Sequence, residues 1–361
     1  MDRLRIAIIG QGRSGRDIHG AYLHTDEAKK LFEVAAIVDE IEERRERARK
    51  EWPGIPVFSS YQALLDRKDQ IDLVVNSTYS YQHAAITIDL LRHGFHVLTE
   101  KPACRNVKEF DEMVSEAEKA ERFLGIFQQS RYAPYYRQVK KVLQSGVLGR
   151  IIDVDIRFNS FARRWDWQTL LSFNGGSLRN TGPHPLDQAL DILDAPDQMP
   201  QIFCRMDRVN TFGDAEDYVK LILTMPDKPL IDLTISCCDA YPVYTYKIHG
   251  SNGGLKGTMS HIDWKYFDPQ SAPVQSLRRG AICEPDGTPA YCHEKLEWIE
   301  DSWDGDGNGA FDAAVQTYYE QMWRQIKEGV PMEVTLPQVR QQVAVYEEAH
   351  RQNQDRLTPL A

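Results

Sequence analysis

Two short segments combine residues that could move a proton and stabilise a developing negative charge. In Thr99-Glu100-Lys101-Pro102, the Lys101 ammonium could hydrogen-bond a substrate hydroxyl and stabilise an alkoxide. In residues 175–187, glycines and prolines surround His184, and Asp187 follows three positions later, on the same face of a helical start. A neutral imidazole suits the base that takes a hydroxyl proton in alcohol oxidation. The alternatives are a solvated Glu-Lys pair and a helix-capping histidine.

A glycine-rich segment near the start of the chain predicts where a dinucleotide would bind. The apolar run Leu4–Ile9 leads directly into Gly10-Gln11-Gly12-Arg13-Ser14-Gly15, and the following residues can form a helix. Such glycines permit a tight turn, close approach of the backbone to a pyrophosphate and close packing of helix on strand. The helix start would offer its N–H groups to the phosphates. The alternative is an ordinary strand-to-helix loop.

An acidic residue lies where a cofactor ribose would be expected. A second apolar run, residues 34–38, ends on Asp39, 24 residues beyond Gly15. The dinucleotide motif places such an acid about 20 residues on, where it binds the ribose hydroxyls. Because a carboxylate repels a 2′-phosphate, Asp39 favours NAD over NADP, although Arg44 and Arg45 weaken this preference.

The elements that must position these residues alternate between strand and helix in the first third of the chain. The pattern predicts a doubly wound parallel (Rossmann) sheet, in which Lys101 follows the carboxyl end of a strand, where ligands bind in such sheets. The predicted strands are Leu4–Ile9, 34–38, 71–75, 95–99 and 123–127, and the predicted helices are 16–31, 41–51, 61–66, 83–93 and 107–122.

Beyond about residue 129 the pattern changes to longer strands with alternating polar and apolar residues. This alternation predicts an α+β domain with a large open, mostly antiparallel sheet that has one buried face. The predicted domains are an NAD-binding domain (1–128) and a substrate-binding and oligomerisation domain (129–361), whose last helix, 335–352, begins with a capping box at Thr335 and Gln338 and packs back on the first domain. Residues 270–308 are interpreted as an insertion or extended hairpin. The predicted strands are 151–158, 202–209, 218–225, 231–237, 243–249 and 255–259.

The composition argues against several classes of partner. The 361 residues carry a net charge of −10, which disfavours nucleic acid and anionic membrane surfaces. No apolar run approaches the ~20 residues of a membrane span, and the first strand begins too early for a secretory segment, so we expect a cytoplasmic protein. The six cysteines lack metal-binding spacing. Residues 304–309 resemble the start of a calcium loop, but Val315 replaces the required glutamate, so we expect a solvated turn and no metal site.

Taken together, the glycine loop, Glu100-Lys101-Pro102 and the Gly-Gly…His-x-x-Asp loop resemble the Gfo/Idh/MocA oxidoreductases over nearly the whole chain. The resemblance implies that Lys101 and His184 are the catalytic pair and that Asp187 holds substrate hydroxyls. It also implies a cofactor-lining segment at Ser77, Thr78 and His83, where Tyr79 replaces the usual proline. The expected cofactor-binding residues are Gly10, Gln11, Gly12, Arg13, Ser14, Gly15, Asp39, Arg44, Ser77, Thr78, Tyr79, His83, Glu100, Lys101, Gln129 and Trp167.

The substrate side departs from the family pattern. Inositol-dehydrogenase-like members carry an aspartate four residues before the histidine, whereas this chain has Asn180. An amide can orient a hydroxyl, but it lacks the charge that would raise the basicity of His184; Asp166 could compensate. Trp165 and Trp167 could stack on a sugar or on nicotinamide, or simply anchor their loop. The expected substrate-binding residues are Asn180, Asp187, Arg131, Arg164, Trp165 and Asp166.

These features predict an NAD-dependent oxidoreductase that transfers hydride between a secondary hydroxyl of a sugar, glycoside or inositol and nicotinamide. One alternative is an enzyme that retains NAD, oxidises its substrate transiently and eliminates a glycosidic substituent without net redox change. Another is a dinucleotide-binding sensor or co-repressor, against which the presence of both Lys101 and His184 argues. The open sheet face predicts an oligomer, and the family resemblance implies a homodimer or a homotetramer.

Overall fold

The computed structural model describes residues 3–305 and 309–357. Its first sheet has six parallel strands in the order β3-β2-β1-β4-β5-β6. This order confirms the predicted doubly wound sheet. The strands are β1 (Leu4–Ile9), β2 (Phe32–Val38), β3 (Val57–Phe58), β4 (Leu73–Asn76), β5 (His96–Thr99) and β6 (Leu124–Ile126).

Both faces of this sheet are covered, which explains why its strands are nearly continuous apolar runs. In β1, Ile6 and Ile8 pack into one hydrophobic cluster, whereas Ala7 and Ile9 pack into another on the opposite face. The helices in and around this sheet are α1 (Ala21–Leu23), α2 (Asp26–Leu31), α3 (Glu42–Glu51), α4 (His83–Arg92) and α5 (Val107–Ala120), with 3₁₀ turns at Tyr61–Leu64, Ser80–Gln82 and Gln129–Tyr132.

The segment after the glycine loop differs from the continuous helix that the sequence predicts. It begins as a π-helix, Arg13–Gly20, and passes through α1 before Thr25 caps a separate helix, α2. Single π-helical turns are rare and are often found at functional sites. Here the π-helix lies directly after the glycines expected to contact phosphate.

The second sheet has eight strands in the order β16-β13-β12-β11-β7-β10-β9-β8, and every neighbouring pair is antiparallel except β7 and β10. This confirms the predicted open, mostly antiparallel sheet. Its strands are β7 (Ile151–Asn159), β8 (Gln201–Asp207), β9 (Tyr218–Thr224), β10 (Leu230–Ser236), β11 (Tyr246–Gly250), β12 (Gly253–Gly257), β13 (His261–Phe267) and β16 (Trp298–Asp304), with a small separate hairpin of β14 (Ile282–Cys283) and β15 (Pro289–Ala290).

Two parts of this sheet differ from the sequence prediction. Residues 243–245, expected in a strand, precede β11, which begins at Tyr246. Residues 261–267, for which no strand was predicted, form β13, and it pairs with β16 (298–304), which lies within the segment 270–308 interpreted as an insertion or extended hairpin. The predicted turn at 304–309 falls partly on residues 306–308, which lie outside the described residues.

One face of the second sheet packs against helices, and its last helix also reaches the first sheet. The helices in this part of the chain are α6 (Pro134–Ser145), α7 (Ser177–Asn180), α8 (Pro183–Leu193), α9 (Ala310–Glu328) and α10 (Leu336–Arg351), of which α9 packs on the first sheet, with 3₁₀ turns at Trp167–Thr169 and Leu171–Phe173. The predicted capping box of Thr335 and Gln338 at the start of α10 is confirmed. Arg340 of α10 forms an ion pair with Asp111 of α5 (2.7 Å).

Helix α9 also packs on the first sheet, which the sequence did not predict. Tyr318, Tyr319 and Met322 belong to the same buried cluster as Ile6 and Ile8 of β1. The Tyr318 hydroxyl donates to the Ile126 carbonyl at the end of β6 (2.7 Å). A segment near the end of the chain therefore covers one face of the first sheet.

Candidate active site

A cavity of about 1050 Å³ lies at the carboxyl ends of the first sheet's strands and extends to the loop before α8. It is bordered by the glycine loop at one end and by Lys101 and His184 at the other. Crevices beyond the strand ends are where open α/β sheets bind ligands. The cavity therefore brings the predicted cofactor segment and the predicted catalytic pair together.

The glycine loop has the geometry of a phosphate cradle. Gly10 adopts a φ of +89°, and a Cβ there would lie 2.4 Å from the Ser77 carbonyl oxygen. A Cβ on Gly15 would lie 1.8 Å from the Gly10 carbonyl oxygen, so this glycine closes the turn. At Gly12 the nearest atom to a Cβ would be 3.7 Å away, on Arg44, which leaves room beside the backbone. No side chain of the described residues caps the helix that starts here, so its amides are available to an anion.

Asp39 ends β2 at the border of the cavity, where its carboxylate is held by backbone amides. Gln11 N–H donates to Oδ2 (2.6 Å) and Ile41 N–H donates to Oδ1 (2.8 Å). The Arg44 guanidinium lies 3.5 Å from Oδ2. Gln11 itself does not line the cavity, so its contribution is to fix the Asp39 side chain.

The strand ends β4 and β5 supply the middle of the cavity wall. Ser77, Thr78 and Tyr79 follow β4 and line the cavity, as expected. The buried His83 ring bridges two loops, because its Nδ1 lies 2.7 Å from the Pro102 carbonyl and its Nε2 lies 3.2 Å from the Thr78 carbonyl. Burial lowers the pKa of His83. A fixed His83 thereby holds the turn that carries Lys101 next to the turn after β4.

Lys101 projects from the end of β5 across the cavity towards the second domain. The Lys101-Pro102 peptide bond is cis. Lys101 Nζ donates to the Asn180 backbone carbonyl (2.9 Å), and burial lowers the pKa of its ammonium. An ammonium has three hydrogens, so two remain for other acceptors in the cavity.

His184 lies on the opposite wall, in the first turn of α8. Burial, and then the Lys101 charge, lower the pKa of His184 to about 3, so its imidazole is neutral at physiological pH. Its Nδ1 is inaccessible to solvent and has no hydrogen-bond partner among residues 3–305 and 309–357. A neutral ring beside a cationic lysine can accept a proton from a hydroxyl bound between them.

The loop before α7 supplies the rest of the substrate wall. Asn180, Arg164, Asp166 and Trp167 line the cavity. The Asp166 carboxylate, which was expected to compensate for the missing aspartate, already forms an ion pair with Arg164 (2.6 Å). Tyr79 packs edge-on against Trp167 (5.0 Å between ring centroids), which joins the two walls.

Three residues that we expected at the substrate lie elsewhere. Arg131 and Asp187 are buried and form a bidentate ion pair (2.7 and 2.8 Å), and Arg131 also binds Asp191 (2.8 Å). Neither lines the cavity, because the carboxylate and the guanidinium satisfy each other inside the fold. Trp165 is 78% exposed, outside the cavity, with its ring against Phe212. The positions of these three side chains therefore do not support a direct contact with substrate in this cavity.

Several cavity residues were not predicted. Ser59 and Ser60 follow the two-residue strand β3, which is too short to recognise from its apolar pattern. Like the predicted residues, they lie beyond the carboxyl end of a parallel strand, where such sheets bind ligands. Gln129, which was predicted, lines the cavity with a buried side-chain oxygen that lacks a partner in the described structure. The other unpredicted lining residues near His184 are Gln168, Asn174, Arg179 and Thr181, with Phe311 from the start of α9.

Comparison with family models matches residues 4–128 to the oxidoreductase family with an NAD-binding Rossmann fold, and residues 136–256 to the GFO/IDH/MocA C-terminal domain. The chain belongs to the Gfo/Idh/MocA oxidoreductase family. Both matches are consistent with the two sheets and with a cavity that lies between them.

Gfo/Idh/MocA relatives of several kinds are similar to this chain. It is 27% identical over 293 residues to the uncharacterized oxidoreductase C115.03 of Schizosaccharomyces pombe (76% of this chain, 74% of the relative). It is 23% identical over 366 residues to scyllo-inositol 2-dehydrogenase (NADP(+)) IolW of Bacillus subtilis (99% and 96%). It is 27% identical over 198 residues to D-glucoside 3-dehydrogenase of Escherichia coli (54% and 55%).

Solved structures support the Gfo/Idh/MocA fold. The putative oxidoreductase yvaA from Bacillus subtilis superposes with a TM-score of 0.77 at 19% identity, covering 100% of this chain and 98% of that one. A NAD-binding protein from Listeria innocua gives a TM-score of 0.78 at 17% identity, with both chains fully covered. Within the described residues, none of the helices is long and apolar enough to span a bilayer, and no group of three His, Cys, Asp or Glu side chains could hold a metal.

Proposed function

We propose that this chain is an NAD-dependent oxidoreductase that transfers hydride between a secondary hydroxyl of a sugar, glycoside or inositol and nicotinamide. The observation that carries the proposal is that Lys101 and His184 border the same cavity as the glycine loop and Asp39. The names of two relatives, an inositol dehydrogenase and a glucoside dehydrogenase, support this substrate class.

In this mechanism His184 is the base and Lys101 stabilises the alkoxide. The substrate hydroxyl lies between them and gives its proton to the neutral His184 ring. With a pKa of about 3, His184 is a weak base, so the Lys101 charge must lower the pKa of the hydroxyl to make the transfer favourable. Bound nicotinamide supplies the hydride acceptor, and Asn180 orients the substrate.

A substrate panel with matched variants tests this proposal. Sugars, inositols and glycosides are incubated with NAD, and the absorbance of the reduced cofactor is followed. Lys101→Met and His184→Gln should each lower kcat by about 10²–10⁴-fold on a positive substrate. Lys108→Met, on the exposed surface of α5, is the matched control and should retain full activity. Unchanged activity in either catalytic variant would overturn the assigned roles.

The cofactor preference follows from Asp39. Its buried carboxylate borders the cavity, and a 2′-phosphate brought there would meet the repulsion of like charges. Arg44 offsets part of this charge. We expect tighter binding of NAD than of NADP in titrations of the purified chain, and a smaller preference in Asp39→Ser. Tighter binding of NADP by the wild type would refute this assignment.

The open face of the second sheet supports a homo-oligomer. Phe203 of β8 is 61% exposed and lies opposite Ile222 of the neighbouring strand β9. Phe203 and the half-buried Ile222 form a small apolar area on this face, and an exposed apolar side chain of this size suits contact with a partner. Light scattering after size exclusion should show a dimer or tetramer, and Phe203→Asp should weaken it; a wild-type monomer at micromolar concentration would contradict this proposal.

A further inference from the structure

The buried histidine His19 belongs to neither the glycine motif nor the predicted catalytic pair. It lies in the last turn of the π-helix Arg13–Gly20 and its side chain is fully buried. Its ring packs on Phe127 (4.6 Å between ring centroids) at the end of β6. A buried imidazole needs a partner at each ring nitrogen, so the identity of those partners shows what the ring can position.

Both ring nitrogens of His19 have polar partners. Nδ1 lies 2.8 Å from the Tyr319 hydroxyl of α9, and Nε2 lies 3.2 Å from Glu100 Oε1. The carboxylate of Glu100 is ionised, with its pKa lowered to about 2, so it can only accept a hydrogen bond. Nε2 therefore carries the hydrogen that is donated to Glu100, while Nδ1 and the Tyr319 hydroxyl form a second hydrogen bond that holds the ring in place.

Glu100 connects His19 to the catalytic lysine. Its second oxygen, Oε2, accepts the backbone N–H of Lys101 (3.0 Å), and its own N–H donates to the Asn76 carbonyl (3.0 Å). The carboxylate is thus fixed at one oxygen by His19 and at the other by the backbone of Lys101. Its charge also lies beside the Lys101 ammonium.

Titratable and charged groups face this pair from several elements. His19, His83 and Lys101 face Glu100, whereas Arg13 and Arg164 face Lys101 from the glycine loop and from the second domain. The two arginines disfavour a charged lysine, as does burial. Glu100 favours the charged form, so the state of Glu100 decides how readily the Lys101 ammonium persists.

We propose that His19 is a positioning residue for Lys101: by donating to Glu100 while held by Tyr319, it keeps the carboxylate oriented and charged, and thereby keeps the lysine charged and aimed into the cavity. His19 touches neither the cofactor nor the substrate in this role. The kinetic test of this inference rests on the proposed function. In the structure, the hydrogen bonds of His19 connect Tyr319 of α9 with Glu100, which follows β5 and precedes Lys101.

The kinetic test compares three variants with the wild type. His19→Leu removes the hydrogen bond to Glu100 and should lower kcat by about 10–100-fold, the range typical of residues that orient a ligating or reacting group. NAD affinity should change by less than about 3-fold. His19→Gln, whose amide can still donate to Glu100, should recover most of the activity. His24→Leu, an exposed histidine just beyond the same helical segment, is the matched control.

The pH profile distinguishes positioning from simple support of the fold. Without His19, the pKa of buried Glu100 rises and that of Lys101 falls, so the basic limb of the kcat profile should move to lower pH by about one unit. Tyr319→Phe keeps the ring and should move the limb in the same direction by less. If the limb stays in place in both His19→Leu and Tyr319→Phe, or if His19→Gln fails to recover activity, the proposal is overturned. Should His19→Leu not fold, His19→Gln and Tyr319→Phe decide alone.

A spectroscopic arm separates this proposal from the proposed function. At about pH 4, infrared difference spectra of His19→Leu should show a protonated carboxyl band that the wild type and the His19→Leu/Glu100→Gln double variant lack, because losing one hydrogen bond should raise the pKa of Glu100 from about 2 by about 2 units. This measurement needs no substrate. A band without any turnover by the wild type would leave the positioning role intact while refuting the proposed reaction, whereas turnover without the band would do the opposite.

Discussion

The cofactor side and the substrate side of the cavity are built in different ways. The cofactor side consists of short turns that follow β1, β2, β4 and β5, so its residues meet at one edge of a parallel sheet. The substrate side is a long loop between β7 and α8, in which short 3₁₀ turns replace regular strands. On the first side, nearly all the residues expected from the sequence border the cavity.

The difference shows what strand geometry contributes. Parallel strands bring their carboxyl ends together whatever the intervening helices are, so a motif's place relative to a strand predicts its place in the site. In the substrate loop no such rule applies, and polar side chains there can bind one another. Arg164 and Asp166 do so at the cavity wall, and Arg131, in the turn after β6, binds Asp187 of α8 inside the fold.

The sharpest test of the cofactor side compares two glycines of one loop. Gly15→Ala would push a Cβ to 1.8 Å from the Gly10 carbonyl, so NAD affinity should fall by more than about 100-fold and stability by about 3 kcal/mol. A Cβ at Gly12 would make only an ordinary van der Waals contact with Arg44 (3.7 Å), so Gly12→Ala should change the free energy of unfolding by less than about 0.5 kcal/mol. Titration with NAD and urea unfolding measure both. If Gly15→Ala and Gly12→Ala lowered the free energy of unfolding equally, the close contact at Gly15 would not be what requires a glycine there.

On the substrate side, Arg131→Met should act on stability instead of substrate binding. It leaves the Asp187 carboxylate buried without its cationic partner, whereas Asp191 keeps Lys140 (2.8 Å), and this should cost about 3–5 kcal/mol in urea unfolding. Arg137→Met, at an exposed ion pair with Glu333, should cost less than about 1 kcal/mol. A stable Arg131→Met enzyme with a raised KM would restore the substrate role that the geometry contradicts.

Asn180 stands where inositol-dehydrogenase-like members carry an aspartate, and restoring that aspartate should change how activity depends on pH. Asn180→Asp places a carboxylate near His184, which favours the imidazolium and should raise its pKa from about 3 by about 1–2 units. Because the neutral ring is the active form, activity should then fall at a higher pH on the acid side than in the wild type. NMR titration of the His184 ring and pH-rate profiles measure this shift; an acid limb that does not move would show that residue 180 lies too far from the ring.

The smallest expected effect is a difference in KM between substitutions of the two neighbouring tryptophans, Trp165 and Trp167. Trp167→Ala removes part of the cavity wall and should raise KM several-fold, by about 1 kcal/mol of lost binding. Trp165→Ala changes an exposed ring outside the cavity and should leave KM within about 2-fold. Steady-state kinetics on a common substrate compare them, and a larger effect at Trp165 would place the substrate beyond the cavity described above.

The sequence predicts the fold well because its signals are local. The apolar run of β1 before Gly10, and the capping box at Thr335, depend only on neighbouring residues. Contacts between distant segments leave no such signal: nothing near Arg131 indicates that Asp187 neutralises it, and nothing near His19 indicates Tyr319. The edge strands β13 and β16 were missed for a related reason, since they carry many polar residues and pair with each other across a long excursion.

Helix α9 has a consequence for how the polypeptide is made. The aromatic side chains that cover β1 are separated from it by about three hundred residues, so the first sheet remains incompletely covered while most of the chain is still being translated. The first sheet therefore cannot complete its folding as soon as its own strands are made, because the long-range contacts with α9 must form before one of its faces is shielded from water. A nascent chain arrested before α9 should engage chaperones, and its release should coincide with the emergence of α9 from the ribosome.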